Sequence, residues 1–215
     1  MAELRLESTG TIKLFESDST SSITIASPAS LSSNRTITLP DGDVTLVAGT
    51  MSTGGGVNTP AFEASLSANG SGTDDTLLNI SCNTELFDVG GCYNNTSGTV
   101  TLNSISVPAF GWAPNEACKV IVYATAQGEC GGGALGEGNL VIKKDGTVIK
   151  NCRMVDDDGQ ARNSQTTYAL VSMDGSSNYL QAFYKINETT GGGWPLETGS
   201  PAGSGTTFGG FKIIE

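Results

Sequence analysis

The chain has 215 residues, 37% hydrophobic and only 15% charged, with 22 acidic against 11 basic side chains and a net charge of −11. A phosphate backbone is repelled by such a chain rather than neutralised, so no nucleic-acid partner is expected. The absence of any run of 18 apolar residues argues against membrane insertion, and the absence of histidine removes the usual general base and imidazole metal ligands.

Gly occupies 29 positions, well above the usual share of about 7%. With Ser, Thr and Asn abundant, the composition favours turns and strands over helices. The first ten residues, MAELRLESTG, show neither a basic nor an apolar signal region, so the chain is expected to remain in the cytoplasm where it is made. Cys82, Cys92, Cys118, Cys130 and Cys152 include no Cys-x-x-Cys pair, and free buried thiols are expected. The sequons at Asn94 and Asn187 are then products of an Asn- and Thr-rich composition.

In chain order, residues 1–50 hold four short alternating runs: Thr11–Phe15, Ser22–Ala26, Thr36–Leu39 and Val44–Val47. Each has one apolar face, but Phe15 is the only aromatic residue in the segment. So small a core is marginal on its own. The segment reads as an extended arm or stalk of short strands. Ile37, Leu39, Val44 and Leu46, flanking the Pro40-Asp-Gly42 turn, are expected to pack on other subunits and serve trimerisation and anchoring. Residues 51–60, with three consecutive glycines and a proline, read as a linker.

Residues 61–215 read as an antiparallel domain. Strands are expected at Phe62–Leu66, Thr99–Leu102, Cys118–Ala124, Gly138–Lys144, Thr147–Lys150, Thr167–Ser172, Tyr179–Tyr184 and Phe208–Ile214. Asp145-Gly146 between two alternating runs is a strong hairpin signal. So many strands without an amphipathic helical stretch predict an all-β sandwich or jelly roll.

Three segments carry a resemblance: Phe62-Glu-Ala64 at the start, Asp88-Val-Gly-Gly-Cys-Tyr-Asn94 in the middle, and Thr207-Phe-Gly-Gly-Phe211 at the end. In this order they resemble the jelly-roll heads of complement component 1q and the tumour necrosis factor superfamily, over about residues 62–215. Val107-Pro-Ala-Phe-Gly-Trp112 departs from the family's Pro-x-x-Gly-x-Tyr element and is followed by an unfamiliar Ala-Pro-Asn-Glu insertion. The resemblance implies a homotrimer packed about a threefold axis and identifies no ligand. Residues 14–47 are similar to short modules of bacteriophage tail-fibre and other virion proteins. Together the two resemblances imply a structural virion protein assembled in the host cytoplasm. Its arm would dock on another virion protein, and its head would act as a tail-fibre adhesin for a host glycan or protein. A capsid-decoration (cement or head-fibre) role is the alternative within that class.

Chemistry has few candidates, and neither a catalytic residue nor a cofactor is expected. A carboxylate-based glycan depolymerase of the tailspike kind would need a pair drawn from Asp74, Asp75, Glu85, Asp88 and Asp156–Asp158. All lie in turn-forming contexts, where such groups are usually solvated or accept backbone hydrogen bonds. Asp156, Asp157 and Asp158 are also the metal candidates, for calcium, although they lack EF-hand spacing. Trp194 and Pro195, in a Gly-rich stretch, are either an exposed recognition loop or tucked beneath it. Tyr123, Phe183, Phe208 and Phe211 are expected in the core or at the trimer axis. A secreted host-side lectin is disfavoured by the missing signal region.

Overall fold

The computed structural model describes residues 11–15, 20, 22–26, 58–131, 134–155, 162–199 and 205–213. Two compact units divide the chain, Met1–Met51 and Ser52–Glu215. In the first, β1 (Thr11–Phe15) pairs antiparallel with β2 (Ser22–Ala26), Leu14 opposite Ile23. The expected strands at 36–39 and 44–47, and with them Ile37, Leu39, Val44 and Leu46, lie outside the described residues.

The second unit is an all-β jelly-roll sandwich. Its strands in chain order are β3 (Ala61–Ser65), β4 (Gly70–Thr73), β5 (Leu78–Asn79), β6 (Thr84–Val89), β7 (Val100–Leu102) and β8 (Ile105–Val107). There follow β9 (Ala117–Glu129), β10 (Leu135–Lys144), β11 (Thr147–Val155), β12 (Arg162–Asp174), β13 (Leu180–Glu188), β14 (Gly193–Leu196) and β15 (Thr207–Lys212). One sheet runs β11-β10-β13-β5; the other runs β4-β14-β9-β15-β3-β6, with β12 on the free side of β9. All pairings are antiparallel. The first and last strands of the unit, β3 and β15, are neighbours inside the large sheet. β7 and β8 form a separate hairpin.

The expected Asp145-Gly146 turn is present between β10 and β11. Both residues have positive φ, 51° and 76°, the type I′ geometry that matches strand twist. Alternation is cleanest on β9, where Val120, Val122, Ala124 and Ala126 are buried and the residues between them are not.

Aromatic rings dominate the core. Phe62 stacks on Tyr93 at 4.6 Å, lies 4.8 Å from Trp112, and meets Phe208 edge-on at 5.0 Å. Trp112 is fully buried over Gly210, where an added Cβ would stand 2.8 Å from the indole. Trp194 covers Gly72 on the paired strand in the same way; a Cβ there would fall 2.2 Å from its ring. Each glycine leaves the space its neighbour's ring fills, which a close-packed interior requires.

Two substitutions test this packing. Trp112→Ala should lower stability by about 3–5 kcal/mol, the range for emptying a buried aromatic site. Gly210→Ala should cost about 1–3 kcal/mol through overpacking. Urea denaturation checks both; a neutral Gly210→Ala would mean that Trp112 does not rest on that backbone.

Candidate functional site: the neutral face of the large sheet

The register of β12, β9, β15, β3 and β6 lines up three rows of outward-facing residues. The first is Leu170, Ile121, Phe211, Ala61 and Val89; the second is Tyr168, Tyr123, Gly209, Glu63 and Phe87. The third is Thr166, Thr125, Thr207, Ser65 and Thr84. Three rows over five strands make fifteen positions, and Glu63 is the only charge among them.

A phenol stands near that charge in the same row. Tyr123 lies over Gly209, where a Cβ would be 2.4 Å from the ring, and Gly209 separates it from Glu63. Burial, then the Glu63 charge, pushes the Tyr123 phenol up to about 12. In the third row the Thr125 and Thr166 hydroxyls bond across the strands at 3.0 Å. Charged residues resume at the margin, where Arg162 pairs with Glu129 at 3.0 Å.

The apolar side chains are most exposed at the two ends of the rows. Tyr168 is 70% and Leu170 65% exposed on β12, and Phe87 and Val89 are exposed on β6. Since β12 pairs only with β9 among the described residues, a contiguous apolar surface runs out to a sheet edge. Single exposed apolar residues are ordinary, but a contiguous patch marks a contact surface.

The other candidates are placed differently. Trp194 is 1% exposed, its indole N–H donates to the Thr73 carbonyl at 3.0 Å, and it meets Tyr184 edge-on at 5.5 Å. Of its two sequence readings the buried one is correct, and the exposed recognition loop is not; Pro195 is half-buried in β14. Only Phe208 of the four strand aromatics joins the core. Tyr123 and Phe211 lie on the neutral face, whereas Phe183 stands on the smaller sheet beneath the Lys143 ammonium, 4.1 Å from the ring centre. Asp156, Asp157 and Asp158 lie outside the described residues.

The remaining carboxylate candidates hold backbone. Asp88 Oδ1 and Oδ2 accept the Cys92 and Tyr93 N–H groups at 3.2 and 3.0 Å. Asp74 Oδ1 accepts the Glu188 N–H at 2.7 Å, and Asp75 pairs with Lys185. Glu85 is exposed, its carboxyl pushed up by partial burial and by the Asp88 charge. Among the described residues no three Cys, Asp or Glu side chains converge as a metal cluster. The cysteines form no disulfide; Cys82 and Cys92 are buried and the other three half-buried. Asn94 of the first sequon is buried too, its amide donating to the Gly98, Val107 and Pro108 carbonyls at 2.7, 3.0 and 2.9 Å.

No family model matches the chain, and no curated protein matches it. Among solved structures the chain is similar to murine APRIL in crystals at pH 5.0. The identity is 10%, over 71% of this chain and 98% of that one, with a TM-score of 0.48. Murine APRIL at pH 8.0 and pH 8.5 gives the same identity and the same coverage of this chain, with TM-scores of 0.47 and 0.45.

The Tyr123 phenol supplies a pH test. A group whose folded pKa is raised above its unfolded value of 10.0 contributes stability below pH 10, which is lost as pH rises toward about 12. Tyr123→Phe should therefore lose less stability than wild type between pH 10 and 12, measured by urea denaturation at each pH. Glu63→Gln should move the Tyr123 titration back toward 10.

Proposed function

We propose that the chain is a structural virion protein without an enzymatic step. It is a homotrimer whose sandwich packs on its copies through the neutral face of the large sheet and whose residues 1–50 dock on another virion protein. The observation that carries the assembly is the contiguous surface with Glu63 as its one charge in fifteen positions, apolar in its first row and exposed at the β12 edge. A chain of net charge −11 tolerates a copy of itself most readily where its charges are absent, because burying unpaired like charges is costly.

Self-association of this face fits a closed ring better than a face-to-face dimer. The most exposed apolar groups, Tyr168 and Leu170, stand at one edge; a head-to-tail contact places that edge on the next copy's face and closes by rotation. The resemblance to complement and tumour necrosis factor heads supports three as the number. The placement of Asp74, Asp75 and Asp88 in backbone and ion-pair contacts supports binding rather than glycan cleavage. The virion reading rests on the similarity of residues 14–47 to phage modules. Within it, the head serves as a tail-fibre adhesin or decorates the capsid.

Sedimentation equilibrium at micromolar concentration should give three times the 22.0 kDa of one chain. Raising the salt should strengthen association by screening the net repulsion. Leu170→Glu should leave a folded monomer, since Leu170 is largely exposed within its own chain. A wild-type monomer would sink the proposed assembly. Cryo-electron microscopy of the particle tests the placement: a few copies at the tail support the adhesin, many copies over the capsid support decoration, and absence from the particle overturns the virion reading.

A further inference from the structure

Glu188 ends β13 with its side chain only 3% exposed. Its Oε1 accepts the Gly131 N–H at 2.6 Å, but its Oε2 is shut off from solvent and has no hydrogen-bond partner. Among the described residues no lysine or arginine pairs with it; Lys185, on the same strand, is held by Asp75. A buried carboxylate oxygen with no partner is strongly disfavoured unless the group binds a proton or a cation.

A second carboxylate stands beside it. Asp74, half-buried, grips the Glu188 backbone N–H through Oδ1, while its own N–H donates to the Gly192 carbonyl at 2.9 Å. Its Oδ2 faces Gly191, and Glu188 Oε2 faces Gly192: a Cβ on these glycines would lie 3.8 and 3.1 Å from the two oxygens. Both carboxylates thus lie against the exposed Gly191–Gly193 segment, which carries no side chain. The Gly193 carbonyl in turn faces Gly131, whose N–H holds Glu188.

We propose that Glu188 Oε2 and Asp74 Oδ2 bind a calcium ion under the Gly191–Gly193 turn, tying the end of β13 to the segment that follows β4. The two carboxylate oxygens are hard donors, as calcium prefers, and the number and spacing of further ligands can vary as calcium allows. Magnesium fits poorly because it keeps several waters in a rigid octahedron, and Oε2 is closed to solvent. The site uses none of Asp156, Asp157 and Asp158 and is independent of the neutral face.

Terbium, an oxygen-seeking calcium substitute, provides the readout on the full chain. Trp194 is positioned to sensitise it, since its indole bonds to Thr73, next to Asp74. Terbium emission excited through tryptophan should saturate, should be displaced by calcium, and should persist in an equal concentration of magnesium. Calcium should also raise the melting temperature of the chelator-treated protein. Glu188→Gln, which keeps the shape and the acceptor for Gly131, should abolish both effects. Asp74→Asn should weaken calcium binding at least tenfold, and it decides the matter should Glu188→Gln fail to fold. Wild-type binding in either variant would place the ion elsewhere and overturn the proposal. So would a wild type whose melting temperature and terbium emission are both indifferent to calcium.

Discussion

The contact of Phe62 with Tyr93, Trp112 and Phe208 is the constraint on which the sandwich depends. It joins the first strand, the loop after β6, the segment before β9 and the last strand in one cluster, with ring centres 4.6 to 5.0 Å from Phe62. Such pairs add about 0.5–1.5 kcal/mol each beyond area burial. They also fix direction. Tyr93 reaches this position because Asp88 holds its N–H, Gly90 and Gly91 turn the chain at φ of 112° and 61°, and its hydroxyl donates to the Cys82 carbonyl at 2.6 Å. The three segments that resemble the complement and tumour necrosis factor heads supply three of the four rings of this cluster, and Trp112 comes from the element that departs from the family, so the resemblance reports packing rather than ligand binding.

From that cluster the outer face follows by parity. In a strand, a residue fixed inward sends its neighbours outward. With Phe62, Phe208 and Val122 inward, Ala61, Glu63, Gly209, Phe211, Ile121 and Tyr123 point away from the core. The glycines Gly209 and Gly210 take opposite parts in this. One accepts the Trp112 ring on the inner side and the other the Tyr123 ring on the outer. A single Gly-Gly pair in β15 therefore lets both faces of the sheet carry large aromatics without spreading its strands.

Much of this was legible in the sequence. Period-two alternation marked β9, β12 and β13, and Asp145-Gly146 marked its hairpin because a type I′ turn demands two positive φ values. Short Gly-rich strands escaped: β4 is Gly-Ser-Gly-Thr and β14 is Gly-Trp-Pro-Leu. Neither has strand propensity, and they form because Trp194 covers Gly72 and locks the pair together. The same contact buries Trp194, which a local reading cannot distinguish from an exposed loop residue. The neutral face was illegible for a related reason. Its first row combines residues 61, 89, 121, 170 and 211, and only the non-local register brings them together. Glu188 gave no sign either, since a terminal strand Glu is ordinarily solvated.

The acidic side chains show how one chain can be strongly negative and still keep nearly all charge off a broad sheet face. Asp174 accepts the Ser176, Ser177 and Asn178 N–H groups and the Ser177 hydroxyl, and these bonds, the hydroxyl foremost, hold its carboxyl well below the usual range. Asp145 likewise takes the Asn178 amide and the Tyr179 N–H at 2.8 and 2.9 Å. Asp74 and Asp88 do the same at their own turns. Negative charge is thus spent on closing turns at the ends of strands, where loops lack ladder partners. The broad face of the large sheet is left to hydroxyl and apolar groups, with Glu63 the exception. Charges there must be desolvated to make a contact, whereas charges at the turns can remain in water, where salt screens them over about 8–10 Å. For Asp74, Asp88, Asp145 and Asp174 the structural use of the carboxylate thus keeps negative charge at the turns and off the broad face.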